Sequence, residues 1–342
     1  MKEWLLNTPV FITTFTRYET LEIVFNVIKE VRPRILFLAV DGPREGREDD
    51  RRDNERCKKI LEDIDWECEV HRLYSNVNLG ILENSMANFK KAFSLVDRLI
   101  FLEDDMLPTK SYFYFCEELL ERYKDDLRVQ AIAGINLKEQ WGNNGKDYFF
   151  SKKVISGACA FWKRTFDMMD MNHDFLLEAS VVNLIPDKIK KLYLKRAKRD
   201  RKERLIDGKY KSFEVIQELQ LHLQNTCIIT PTKNLVVSIG VSAKAAHAVD
   251  DIRKMPKGVR KFFELKSFEY KFPLNHPKYI IIDTKYEKEC RKFLAEGYPY
   301  LIFYRRIITL LLMIKYDGFR KTFEAAKTKL NIILSDKSDI NG

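Results

Sequence analysis

Leu99-Ile100-Phe101-Leu102-Glu103-Asp104-Asp105-Met106-Leu107-Pro108 decides the reading of this chain. A short apolar run ends in three consecutive acids, and a proline follows almost at once. Apolar runs of this length, bounded by a breaker, read as buried strands of a largely parallel sheet. Ligands of open α/β sheets bind just beyond the carboxyl ends of such strands. Three carboxylates placed there repel one another unless a cation sits among them. The expectation is a site for Mg²⁺ or Mn²⁺ that holds a diphosphate, with a solvated acidic turn as the competing reading.

Outward from that stretch, strands and helices alternate. Val10 to Thr14 and Ile35 to Val40 read as strands, with Thr20 to Val31 as the helix between them. The acid- and arginine-rich Arg44 to Arg56 reads as a solvated loop or helix start. A short strand around Cys68 to Tyr74 and a helix from Asn84 to Val96 lead into the acidic strand. This alternation predicts a βαβ, doubly wound sheet. Further on, Tyr112 to Lys124, Lys188 to Arg204 and Glu214 to Leu223 read as helices, and Val129 to Gly134 and Cys227 to Thr230 as strands. The small residues of Ile155 to Trp162 imply backbone packed closely against something. From about residue 250 the pattern is less regular, which divides the chain into residues 1–250 and a C-terminal extension, residues 251–342.

Composition sets bounds on partners. The 342 residues carry a net charge of +10, which points to an anionic partner: nucleic acid, a membrane surface or a phosphorylated substrate. Six cysteines without a CxxC pair read as reduced thiols of a cytoplasmic protein. No phosphate loop, GxxxxGK[ST] or GxGxxG, occurs, which argues against kinase, ATPase and dinucleotide-enzyme readings.

Several residues stand where they can assist the acidic triplet. Asp41 ends the second strand at the same sheet edge and is placed to accept from a base N–H or a ribose hydroxyl. Thr14, Thr16 and Arg17 follow the first strand and suit a nucleotide or its phosphates; for Thr16 and Thr20, helix capping is at least as good a reading. Asn78-Leu79-Gly80 reads as a tight turn that brings backbone near a ligand. Glu214 opens a helix and is a candidate general base on an acceptor hydroxyl, with a helix-dipole role as the alternative. His247 is a candidate to complete a metal shell.

These motifs together resemble bacterial nucleotide-diphospho-sugar transferases of the GT-A fold, related to the N-acetylglucosaminyltransferase I family. The resemblance runs from about Pro9 to His247. It is carried by Thr14-Phe15-Thr16-Arg17, Val40-Asp41-Gly42-Pro43, Asn78-Leu79-Gly80 and the acidic strand. It continues through Gly157 to Arg164, Ser212 to Gln217, and Asn234 to Gly240 followed by His247. It implies a Rossmann-like, mostly parallel sheet flanked by helices, with a C-terminal helical extension. It also implies a metal-dependent, inverting transfer from a UDP-sugar to a glycan or lipid-linked acceptor. Glu103 and Asp104 then belong to the donor site, Asp105 and His247 to the metal, and Glu214 is the base, although the family has Asp there.

Other readings stay open: a nucleotidyltransferase on a similar sheet, or a basic membrane- or nucleic-acid-binding module that keeps a degenerate transferase fold. The basic run Lys188 to Arg204 suits an anionic acceptor, lipid headgroups or plain solvent. Its scarcity of aromatic residues argues against nucleic acid. Tyr298 to Tyr316 is an apolar stretch broken by Arg305 and Arg306, which suits a helix lying in a membrane interface, a core helix or an oligomer contact. Peripheral attachment to the inner face of the cell membrane is the corresponding expectation.

Overall fold

The structure, a computed structural model, describes residues 5–142, 145–210, 213–241, 251–320 and 322–323. Two compact units emerge: residues 1–240 with 265–290, and residues 241–264 with 291–342. The chain passes between the units three times, at 240/241, 264/265 and 290/291, because residues 265–290 return to the first unit, whereas the sequence reading placed one division at residue 250.

The first unit is built on an eight-stranded sheet. In chain order its strands are β1 (Val10–Thr14), β2 (Ile35–Val40), β3 (Glu69–Tyr74) and β4 (Arg98–Glu103), then β6 (Val129–Ala133), β7 (Tyr148–Ser151), β8 (Ala158–Trp162) and β9 (Cys227–Pro231). The spatial order is β3-β2-β1-β4-β8-β6-β9-β7. The first four run parallel, and β8 enters antiparallel between β4 and β6. β6 and β9 pair parallel, and β7 closes the edge antiparallel to β9. A separate two-stranded ladder joins β5 (Met106–Pro108) to β10 (Val236–Ser238).

Helices α1 (Tyr18–Val31), α2 (Glu48–Leu61), α3 (Ile81–Ala92) and α4 (Lys110–Arg122) cover the parallel half. The spacing of Leu21, Val24, Phe25, Ile28 and Val31 puts one buried stripe on α1. Phenylalanines fill one face of the sheet: Phe11, Phe37, Phe89, Phe93, Phe101 and Phe161 form a buried cluster, with Phe89 edge-on to Phe101 at 5.1 Å. The mostly parallel α/β sheet with flanking helices is as the sequence implies. The Arg44 to Arg56 stretch is not simply solvated, since α2 buries Asp50, Asp53 and Asn54.

Beyond β8 come α5 (Lys163–Asp167), α6 (Ala179–Leu184), α7 (Asp187–Ile189) and α8 (Lys195–Asp207), with a π-helical turn, Lys190–Leu194, linking the last two. This is the basic run. Its apolar residues Ile189, Tyr193 and Ala197 pack on Val215 and Leu219 of α9 (Phe213–Leu223). The helix is thus anchored on one face, where Arg201 and Arg204 are half-buried as well, while Lys195, Arg196, Lys198, Arg199 and Lys202 are exposed. In the second unit, α10 (Lys257–Arg260) precedes the return segment, and α11 (Thr284–Leu294) leads out of it to α12 (Pro299–Asp317). All six cysteines are free, and five are buried.

Candidate active site at the carboxyl edge of the sheet

β1 and β4 pair in register up to Thr13 and Glu103, so the residues that follow each strand emerge side by side. Thr14 donates to Asp104 Oδ2 at 2.7 Å, and the Phe15 N–H also reaches that carboxylate. Arg17 places its guanidinium on the Asp105 carboxylate and 3.6 Å from Asp104 Oδ1. The repulsion expected within the triplet is therefore offset, in this structure, by a side chain of the same chain. Thr16 is buried beside them, but it does not cap α1: the capping position is Arg17, and no side chain caps the helix. Thr20 instead donates to the Arg17 carbonyl at 3.2 Å.

Burial, with Asp105 and Asp104 adding to it, pushes the Glu103 carboxyl up to about 8, although Arg17 opposes the shift. Burial likewise raises Asp104 to about 6 against the pull of Arg17. Both acids hold their protons more tightly folded than unfolded, so each destabilises the fold once ionised. The expected result in chelator is a melting temperature that falls as pH rises from about 5 to about 8. Scanning calorimetry of the protein and of Glu103→Gln checks this, the variant having the shallower slope.

The Asn234 to Gly240 segment reaches the triplet through the β5–β10 ladder. Ser238 pairs with Met106, and the Ile239 N–H donates to the Asp105 carbonyl at 2.9 Å. A Cβ at Gly240 would overlap the Asp105 carboxylate, so glycine is required there for close approach. On the other side, Gly157 accepts from the Glu103 N–H at 2.8 Å, at φ +97°, and a Cβ there would come 2.8 Å from Met106 Cε. The close backbone packing implied by the small residues of Ile155 to Trp162 is this contact.

Glu214 sits exposed in the first turn of α9 and accepts from Ser156 Oγ at 2.5 Å. Its charge acts on Glu103, adding to that group's upward shift. Ser156 precedes Gly157, whose carbonyl accepts from the Glu103 N–H, so the fold brings Glu214 near Glu103 across more than a hundred residues. One turn deeper, Glu218 is buried with Lys153, Nζ to Oε1 at 2.7 Å, and accepts from Tyr193 and from the Val154 N–H. This pair fixes α9 against the Lys153 to Ser156 segment that holds Glu214. A small apolar cavity adjoins it, with Ala133, Ile155, Cys159, Gln217 and Leu221 among its lining residues.

Asp41, expected as a nucleotide contact, stands at the end of β2 with its carboxylate hydrogen-bonded within the chain. Its carboxylate accepts from the Gly42, Leu79 and Gly80 N–H groups at 3.0, 2.9 and 2.9 Å, and from Asn78 Nδ2 at 3.1 Å. Four donors fill the acceptor capacity of a carboxylate. Asp41 therefore holds the Asn78-Leu79-Gly80 turn, in which Gly80 has φ +86° and Asn78 also donates to the Gly42 carbonyl at 2.9 Å. Asp41→Ala strands three backbone donors and is expected to cost about 1–3 kcal/mol, read by urea denaturation.

Asn54 is a site residue that the sequence reading missed. Its Nδ2 donates to the carbonyls of Phe15 and Asp41 at 2.9 and 2.6 Å, tying the ends of β1 and β2 together. The position falls within a charged run, and only its place on the buried face of α2 distinguishes it. Lys153–Glu218 gave no sequence signal either. His247 and Ser212 lie outside the described residues.

A hard cation fits this site on one observation: Asp105 Oδ1 is buried with no hydrogen-bond partner. Among the described residues, no group of three or more His, Cys, Asp or Glu side chains converges to hold a metal. A cation held by one carboxylate would take its remaining oxygens from water and a diphosphate.

No protein-family model matches the chain, and no curated protein matches it. Solved structures do. UDP-glucose pyrophosphorylase complexed with UDP-glucose is similar over 68% of this chain and 92% of its own, at 8% identity and a TM-score of 0.35. Galactosyltransferase LgtC in complex with donor and acceptor sugar analogs covers 65% and 73%, at 12% identity and a TM-score of 0.34. Mouse xyloside xylosyltransferase 1 in its apo form covers 64% and 81%, at 10% identity and a TM-score of 0.32.

Proposed function

We propose that this chain is a metal-dependent, inverting glycosyltransferase that moves a sugar from a UDP-sugar to a hydroxyl of a glycan or lipid-linked acceptor. The observation that carries this reading is the meeting, at one sheet edge, of Glu214 with a triplet in which Asp105 Oδ1 is buried and unpaired. An acid for proton abstraction and an acid for a cation are the two carboxylate roles that sugar transfer from a diphosphate needs.

Asp105, with His247, would hold Mn²⁺ or Mg²⁺, which supplies positive charge to the diphosphate as it departs. Arg17, already on Asp105 and near Asp104, adds a second positive charge beside that position. The turn held by Asp41 presents the backbone of Asn78 to Gly80 to the nucleotide. Glu214, oriented by Ser156, takes the proton of the acceptor hydroxyl. The acceptor oxygen then bonds to the anomeric carbon as that carbon's bond to the diphosphate oxygen breaks on the opposite face, so the configuration inverts and UDP leaves.

A thermal-shift screen of nucleotide sugars with and without Mn²⁺ tests this reading. One UDP-sugar is expected to stabilise the protein only with the metal, by about 2.7 kcal/mol at a hundred times its dissociation constant. Stabilisation by nucleoside triphosphates with no response to any UDP-sugar would point to a nucleotidyltransferase. No response to any nucleotide, with salt-sensitive binding to nucleic acid, would remove the enzymatic reading.

A further inference from the structure

The second unit carries a surface that sugar transfer does not use. On α12, Tyr300, Phe303, Tyr304, Ile307 and Leu311 are between 42 and 67% exposed. Their spacing of three and four residues puts them on one face of the helix. Leu310 is exposed next to this stripe, and Phe319 and Phe323 continue the exposed apolar surface beyond the helix. The neighbouring face is the one that packs: Leu301, Arg305, Ile308 and Leu312 are half-buried, and Arg305 donates to the Phe293 carbonyl. At its far end the helix is fastened by Lys254 to Asp317 at 2.7 Å and by Arg253 over the Tyr316 ring at 5.4 Å. The apolar stripe is thus the outer face of an anchored helix.

Charge indicates what covers it. Residues 241–264 and 291–342 contain sixteen Lys and Arg against eight Asp and Glu, so eight of the ten net positive charges belong to this small unit. Exposed Arg306 and Lys315 flank the stripe on either side. Tyrosines stand at both ends of the helix, Tyr298, Tyr300 and Tyr304 at the start and Tyr316 at the finish. An apolar stripe with flanking cations and terminal tyrosines suits the boundary between headgroups and acyl chains. By length and composition the Thr284–Asp317 region is also apolar enough to cross a bilayer, with none of its most apolar window buried. Two adjacent arginines near the middle of α12, one of them bound to a carbonyl of its own unit, oppose that placement.

We propose that α12 lies flat in the surface of a membrane containing anionic lipid, with its Tyr300–Leu311 stripe in the acyl boundary and Arg306 and Lys315 on the headgroups. The inference is independent of the transferase reading.

Sedimentation of the full chain with large vesicles tests it. The expected result is binding to phosphatidylcholine vesicles containing about 30% phosphatidylglycerol, at least tenfold weaker binding to phosphatidylcholine alone, and loss of binding on raising the salt. Phe303→Glu combined with Leu311→Glu should reduce binding by roughly tenfold or more while the far-UV circular dichroism stays unchanged. Arg306→Gln combined with Lys315→Gln should weaken only the phosphatidylglycerol-dependent part. Absence of wild-type binding to anionic vesicles at low salt would overturn the proposal. So would a dimer in light scattering that the Phe303 and Leu311 substitutions dissociate, because the face would then be an interface between copies. Resistance of vesicle-bound protein to alkaline carbonate extraction would overturn it in favour of a spanning helix.

Discussion

Asp105→Ala is expected to lower sugar transfer by about a thousandfold or more and to abolish metal-dependent stabilisation by UDP. The size follows from what Asp105 does. Its Oδ1 has no partner, its Oδ2 meets Arg17, and its backbone carbonyl holds Ile239. Alanine keeps the backbone contact and removes both oxygens. On the proposed metal role, a cation there would lose its carboxylate ligand, and Arg17 keeps only its 3.6 Å approach to Asp104. Asp105→Asn separates charge from shape: it retains a side-chain oxygen and should still lose metal-dependent binding. Calorimetric titration of UDP with and without Mn²⁺, beside a transfer assay, reads both effects. Full activity of Asp105→Ala without added metal would sink the metal reading. A variant equally active with Mn²⁺ would place the cation on other residues.

The parallel half of the sheet was legible for a physical reason. Val10–Thr14 and Ile35–Val40 are buried on both faces, so each reads as an uninterrupted apolar run ended by a polar residue or a breaker. The acids of Glu103 to Asp105 were legible because a buried strand has nowhere else to leave them but its end. The β5–β10 ladder was not legible: each strand has three residues, one includes Pro108, and neither is long enough to show a period. Yet that ladder is what brings Gly240 against Asp105. Arg17 was seen as a phosphate contact, but its pairing with acids nearly ninety residues away depends on β1 lying beside β4. Asp41 shows the opposite limit. Its position at a strand end was evident, while the four donors that occupy it come from a turn whose path only the fold supplies. Lys153 and Glu218 lie in segments where a charged residue ordinarily reads as solvated, and their burial follows from the basic helix covering α9.

Glu214→Gln is expected to lower transfer by about a hundredfold to ten-thousandfold, the range for a general base, while UDP binding and melting temperature stay close to those of the parent. Glutamine has the same length and keeps an oxygen to accept from Ser156, so the first turn of α9 keeps its geometry. What it loses is the ability to take a proton. The exposed position makes a large stability effect unexpected, because an exposed helix-dipole carboxylate contributes about 0.3–1 kcal/mol. Removing the charge also relieves its repulsion of Glu103, so donor affinity should not fall. Glu214→Asp adds a second comparison: it keeps the carboxylate and shortens the reach by one methylene. Partial activity in that variant, with almost none in the glutamine variant, would identify proton abstraction as the function. Equal losses in both, accompanied by weaker UDP binding, would make Glu214 a carboxylate that positions the strand-end loops and would send the search for the base elsewhere on this edge.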